Sequence, residues 1–261
     1  MELPIYVVDA FTSEPFRGNP AGVCPLGAQT LPDELMARIA GEMKHAETAY
    51  LRSRDEPDQF DLRWFTPAVE VDLCGHATLA SAHLLWEIGA AQGDITFHTR
   101  SGALGATRNG DRIALDFPAK MVEPKPLSGP LPGTDKALFT GVNKMDWLVE
   151  LGSEAEVRSF QPDFEAITRL GMRGLIVTGK GDSGYDFVSR FFAPQCGIPE
   201  DPVTGSAHCA LAPYWAPKLG KTRMKAFQAS ERGGEVGVEI VGDRVALFGQ
   251  AVTVLSGRLC I

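Results

Sequence analysis

Cysteine is sparse in this chain of 261 residues: there are 5, at positions 24, 74, 196, 209 and 260, and no two stand in a CxxC pair. An odd count without paired spacing argues against a disulfide framework and against a structural zinc site. Positive charge is also in deficit. Lys and Arg number 25 against 33 Asp and Glu, a net charge of −8, so a polyanion meets a repulsive field and nucleic acid is not an expected partner. Apolar stretches are broken by His, Gly or Pro well short of the roughly 18 residues that a membrane span needs. The opening MELPIYVVDAF has no basic segment ahead of its apolar run, unlike a secretory leader. The expectation is a cytoplasmic protein without membrane contact. Phosphate loops and dinucleotide fingerprints are missing too, so neither a cofactor nor a metal is expected.

What the chain does have is 44% hydrophobic content, enough to pack a substantial core, and an internal repeat. GALGATRNGDRIAL (102–115) aligns without a gap on GEVGVEIVGDRVAL (234–247): Gly102, Gly105, Gly110, Asp111, Arg112, Ala114 and Leu115 each meet an identical residue 132 positions later. RWFTP (63–67) answers RFFAP (190–194) at an offset of 127, and Gly75 of GHATLA answers Gly205 of GSAHCA at 130. Drifting offsets are what small insertions in a duplicated unit produce.

Each copy reads as an early helix, short β-branched and aromatic strands, a glycine-led helix rich in Ala and Leu, and a Gly-Asp hairpin. The expected fold is therefore α+β, with two pseudo-symmetric domains, each a curved mixed or antiparallel sheet wrapped around a central helix. The expected boundaries are 1–118, a Pro-rich linker 119–136 that continues neither helix nor strand, and 137–261, with the option that the last strand returns to the first domain. Two such domains would face each other across a cleft, where small ligands usually bind.

Both glycine-led helices start with small residues. Gly75, His76 and Ala77 open one, and Gly205, Ser206 and Ala207 open the other. The first N–H groups of a helix lack intrahelical partners and sit at the positive end of its dipole, so the natural guest is a carboxylate or another anion. The competing reading is that Gly and Ser simply start helices well.

Residues that the copies do not share are the informative ones. Glu47 precedes a strand, and its mate is Gly174. Asp201 lies in an insertion: Pro67 to Gly75 spans 8 positions, whereas Pro194 to Gly205 spans 11. His76 is matched by Ser206, and a histidine at a helix N-terminus is held neutral and suited to proton shuttling. Glu47, His76 and Asp201 are the candidate catalytic groups, and Gly75, Ala77, Gly205, Ser206 and Ala207 the candidate substrate-binding residues. His83 and His98 have no such context, and His45 is expected to point away from Glu47. A Glu, a neutral His, an Asp and a Ser at anion-binding helix starts imply acid–base chemistry without a cofactor, with isomerisation as the net result.

VVDAFTSEPFRGNPAGVCPL, AETAYL, LRWFTPAVEVDLCGHATLASA, EDPVTGSAH and GQAVTVLSGRL together resemble the PhzF family of phenazine-biosynthesis-like isomerases, which share the fold of diaminopimelate epimerase. The resemblance implies a pair of α+β domains around a cleft, commonly assembled as homodimers. It implies a proton-moving glutamate at Glu47, acting in the phenazine enzyme on dihydro-hydroxyanthranilate. It also implies helix-motif residues at Gly75 and His76 and at Asp201 and Ser206. Two other readings stay open. In related epimerases and proline racemases, two facing thiols do the work. Cys74 stands where one belongs, but its mate at an offset of 130 is Thr204. The other alternative is a non-catalytic metabolite-binding protein, with a small anionic carboxylate as ligand in either case.

Overall fold

The computed structural model describes residues 1–261. The chain forms two compact units, Met1–Asp116 with Phe248–Ile261, and Phe117–Leu247.

The first unit contains β1 (Glu2–Ala10), β2 (Asn19–Gly27), α1 (Asp33–Met43), β3 (Thr48–Ser53), β4 (Gln59–Phe65), β5 (Glu70–Val71), α2 (Gly75–Glu87), β6 (Ile95–Thr99), β7 (Gly102–Asn109) and the start of β8 (Arg112–Pro118). Strand β2 pairs antiparallel with β1 and parallel with β3; β4 is antiparallel to β3 and β5 but parallel to β6, and β6 is antiparallel to β7. Helix α2 is buried on every side, from His76 to Trp86, apart from His83. A helix with no polar face must be enclosed, and α2 packs on β1, β2 and β3. Helix α1 is amphipathic and covers a separate core, laying Met36, Ile39 and Ala40 against Leu3, Ile5, Cys24, Tyr50 and Phe65.

The second unit repeats this order with β9 (Glu123–Pro124), β10 (Phe139–Val142), β11 (Asp146–Glu150), α3 (Glu154–Ser159), α4 (Phe164–Arg169), β12 (Gly174–Lys180), β13 (Phe187–Ala193), β14 (Ile198–Asp201), α5 (Gly205–Leu219), β15 (Arg223–Gln228), β16 (Gly234–Val241) and most of β17 (Arg244–Gly249). Its pairings copy those of the first unit. Strand β11 is antiparallel to β10 and parallel to β12; β13 is antiparallel to β12 and β14 but parallel to β15, and β15 is antiparallel to β16. Even the register repeats, with Tyr50 opposite Arg63 and Val177 opposite Arg190. The last strand, β18 (Ala251–Cys260), belongs to the first unit and pairs antiparallel with β1 along its length.

The RWFTP and RFFAP segments match because one device is used twice. Arg63 forks onto Glu70 with bonds of 2.8 and 2.7 Å and lies 5.1 Å over the Phe65 ring. Arg190 forks onto Glu200 at 2.7 and 2.9 Å and lies 4.9 Å over Phe192. Bidentate geometry and ring stacking are uses of arginine that lysine does not reproduce.

One local expectation needs correcting. The segment 119–136 is not free of regular structure, since Glu123–Pro124 pairs with β10; proline is tolerated where a strand edge needs no N–H. Helix α5 runs through Pro213 and Pro217. Proline at 213 supplies no N–H to the carbonyl four residues earlier, that of Cys209, and Lys120 N donates to that oxygen at 2.9 Å instead.

Candidate active site

In the first unit, Glu47 ends the turn between α1 and β3, and its carbonyl accepts from Gly22 N at 3.1 Å. That bond, beside the parallel pairing of Gly22 with Thr48, fixes the glutamate at the start of a strand buried under α2. His76 is the second residue of α2, whose N-cap, Cys74, makes no side-chain capping bond and whose first turn has no acidic residue. The helix start is therefore left positive, with the N–H groups of Gly75, His76 and Ala77 at its mouth.

His76 Nε2 stands 3.3 Å from Glu47 Oε2, with the two side chains 5% and 13% exposed. The contact does not meet the geometry of a hydrogen bond. On the other edge of the ring, the Asn19 amide nitrogen donates to Nδ1 at 3.2 Å. An Nδ1 that accepts puts the ring proton on Nε2, facing the carboxylate. Burial pushes His76 down to about 3, with the His45 charge adding to the effect, so the ring is neutral over the physiological range. Cys74 Sγ lies 3.5 Å from Nδ1. Donor atoms of Glu47, Cys74 and His76 lie within 4.8 Å of one another, a mixed N, O and S set that a zinc ion could occupy.

In the second unit, Glu200 and Asp201 face opposite ways, as neighbours on a strand must. Glu200 goes to Arg190, and Asp201 Oδ2 accepts from Thr204 Oγ1 at 2.5 Å. The turn between them and α5 is held by Gln228, a fully buried residue. Its Oε1 accepts from Thr204 N at 2.8 Å, while its Nε2 donates to Asp201 O at 2.7 Å and Thr204 Oγ1 at 3.1 Å. Helix α5 again starts with no side-chain cap and no acidic residue, at Gly205, Ser206 and Ala207. Ser206 Oγ accepts from Arg173 Nη2 at 2.9 Å.

His208 does not face the helix mouth. It is fully buried, and its Nδ1 bonds the Thr204 carbonyl at 2.9 Å. Thr78, its counterpart, donates to the Cys74 carbonyl at 2.5 Å, so both residues tie the first turn to the N-cap.

The structure brings Glu47 and His76 together, adds Asn19 and Cys74, and in the other unit joins Asp201 to Thr204 and Ser206 to Arg173. The sequence reading missed Asn19, Arg173 and Gln228. The one available signal was their setting: a lone amide or guanidinium within or beside otherwise apolar strands. It also took Gly174 as the mere absence of a carboxylate. A Cβ there would come within 2.5 Å of Phe191 Cζ and 2.8 Å of Phe192 O, so the glycine is demanded by packing.

Residues 8–257 match the family of phenazine biosynthesis-like proteins, PhzC-PhzF. A protein named as an uncharacterized isomerase of Halalkalibacterium halodurans is 49% identical over 270 residues, covering 100% of both chains. Phenazine biosynthesis-like domain-containing protein 1 of mouse is 45% identical over 290 residues, covering 99% of both. Among solved structures, a PhzF-family protein of Enterococcus faecalis superposes with a TM-score of 0.93 at 40% identity over 100% of both chains. A hydroxyproline epimerase of Agrobacterium vitis, 12% identical with a TM-score of 0.65 over 99% of this chain and 91% of its own, shares the fold alone.

Proposed function

The chain belongs to the phenazine biosynthesis-like family, and from that premise we propose that it is an isomerase moving a proton within a small carboxylate-bearing substrate, of the dihydro-hydroxyanthranilate type, with no cofactor. The observation that carries this reading is the Glu47–His76 pair, 3.3 Å apart beside an uncapped helix start.

Glu47 takes a proton from a carbon next to an electron-withdrawing group, and the resulting glutamic acid returns a proton to another carbon of the same skeleton, so atoms and charge balance. His76, neutral with its proton on Nε2, lies 3.3 Å from the carboxylate and is proposed to close onto it as a donor when substrate binds, holding the glutamate ionised until it takes the proton. Asp201 is the proposed acid–base group of the second unit. The N–H groups of Gly75 and Ala77 at the first helix start, and of Gly205 and Ser206 at the second, are proposed as anion donors, each in its own unit; Ala207, expected among them, already donates its N–H to Thr204 O at 3.2 Å. We propose a cytoplasmic homodimer as the working form, a twofold dimer being the commonest soluble oligomer.

Incubation of a panel of small unsaturated or cyclic carboxylates in heavy water tests the reading. The wild type is expected to place deuterium in the carbon skeleton of at least one of them. Glu47→Gln is expected to lose turnover by about 1,000-fold or more while still binding that compound. Turnover retained in Glu47→Gln would remove the glutamate from its role, and no incorporation by the wild type would favour a binding protein.

A thiol-based epimerase is the second reading, supported by Cys74 lying 3.5 Å from His76 Nδ1. Its partner position is Thr204, a hydroxyl already donated to Asp201, so the pair of thiols is incomplete. Cys74→Ala is expected to keep most of its turnover.

A further inference from the structure

We propose that Arg173, locked by the buried Asp146, is a positioning residue that turns the Ser206 hydroxyl into a donor at the mouth of α5, where the substrate's acidic group binds. This rests on the proton-transfer reading only for its biological meaning; the geometry stands by itself.

The two repeats treat equivalent places in opposite ways. In the first, a carboxylate at the start of β3, Glu47, meets the second residue of the central helix, His76. In the second, the glycine mate of Glu47 is filled by Phe191, and the guanidinium of the preceding residue, Arg173, lies 5.2 Å over that ring. From there Arg173 reaches Ser206, the counterpart of His76. A base at one helix mouth is thus replaced by a cation at the other.

Arg173 has little freedom to do anything else. Its Nε and Nη2 donate to the two oxygens of Asp146 at 2.8 and 2.6 Å, and Asp146 is fully buried. Asp146 is held in turn by a turn in which the Asn143 side-chain oxygen accepts from Met145 N at 2.7 Å and Asp146 N at 2.9 Å. Arg173 N donates to Met145 O at 2.9 Å, so both ends of the fork are tied to one loop. A bidentate fork is far more rigid than a single ion pair.

The chemical consequence falls on Ser206. Its oxygen accepts from Arg173, so its own proton is not used in that bond and is available to a ligand. The guanidinium beside it makes the hydroxyl a stronger donor, and the uncapped N–H groups of α5 point to the same mouth. A neutral serine alone could present either a lone pair or a proton there; Arg173 removes the choice. The ligand class that follows is a carboxylate or a similar oxyanion.

The test reads backbone amide shifts of Gly205 and Ser206 by nitrogen-15 NMR while titrating anthranilate, a planar aromatic carboxylate, and inorganic sulfate. In the wild type both amides are expected to shift and saturate. Arg173→Met and Ser206→Ala are each expected to weaken binding about tenfold, and the double variant no more than either single one, because Arg173 acts through Ser206. Arg173→Lys, which keeps a charge but cannot fork Asp146 and reach Ser206 together, is expected not to restore affinity. Asp146→Asn covers the case of an unfolded Arg173→Met: it is expected to weaken binding and to lose that effect in a Ser206→Ala background. Additive losses, full rescue by lysine, or no response of the wild-type amides to either anion would overturn the assignment. Loss of deuterium exchange with this coupling intact would strike the proton-transfer reading alone.

Discussion

The two nitrogens of His76 meet different partners, and that difference sets what the residue can do. Nδ1 accepts from Asn19, a fully buried amide, while Nε2 faces Glu47. Second partners of this kind fix the tautomer and orientation of a working imidazole. Because burial and His45 hold His76 down to about 3, its ring signals are expected to stay flat between about pH 5 and 8 in proton NMR. Asn19→Asp replaces the donor with an acceptor, which forces the proton onto Nδ1 and favours the cation. It is expected to bring the His76 titration up toward the neutral range and to lower turnover by about tenfold. An unchanged titration would show that the amide does not set the tautomer. Glu47 and His76 were legible in the sequence because the repeat exposed them as unmatched polar residues. Asn19, Arg173 and Gln228 were not, since their partners lie 57, 33 and 24 residues away and no local pattern records a contact at that distance.

At the level of elements, the duplication was legible wherever backbone conformation dictates residue type. Gly110 and Gly242, 132 positions apart, have φ of 63° and 62°, a left-handed conformation that glycine adopts without strain. Neither would bring a Cβ within 4 Å of another atom. Replacing either by alanine is therefore expected to cost only the conformational term, about 1–2 kcal/mol. The two costs should be nearly equal and should add in the double variant, as measured by urea unfolding. A much larger loss at one site would mean that its turn carries a contact the other lacks. Gly249 makes the contrast, because a Cβ there would meet Phe11 Cδ1 at 2.5 Å. The course of α5 was less legible. Pro213 reads as a helix breaker, and the Lys120 N–H that serves the Cys209 carbonyl in its place comes from a segment that composition marks as a linker. Local rules fail there because a distant backbone group supplies what the helix lacks.

For the molecule as a whole, the buried polar groups that shape both helix starts also set its response to acid. His76 is pushed down to about 3, and burial pushes His208 down to about 4 against the opposing bond to Thr204, from an ordinary 6.5. Below pH 6.5 the unfolded chain takes up protons at these rings while the folded chain does not. Stability therefore falls as pH drops from 6.5 toward 4, by at most about 1.4 kcal/mol per pH unit for each histidine. Glu154 adds a second, lower window. Its carboxylate, against the cost of burial, accepts from Asp182 N, Ser183 and Arg158, which hold it down to about 2 from an ordinary 4.5. The stability it lends is present above 4.5 and is lost as pH falls from there toward 2. Unfolding free energy measured against pH is thus expected to be level near neutrality, to slope downward below about 6.5 and to steepen below about 4.5. His208→Thr separates the contributions, because threonine makes the equivalent bond at position 78 of the other repeat and carries no titrating group. Its slope between pH 6.5 and 4.5 is expected to be lower than the wild type's by up to one proton's worth. An identical slope would mean that His208 takes up its proton as readily folded as unfolded, which a fully buried ring with an unpaired Nε2 cannot do without opening the second unit around it.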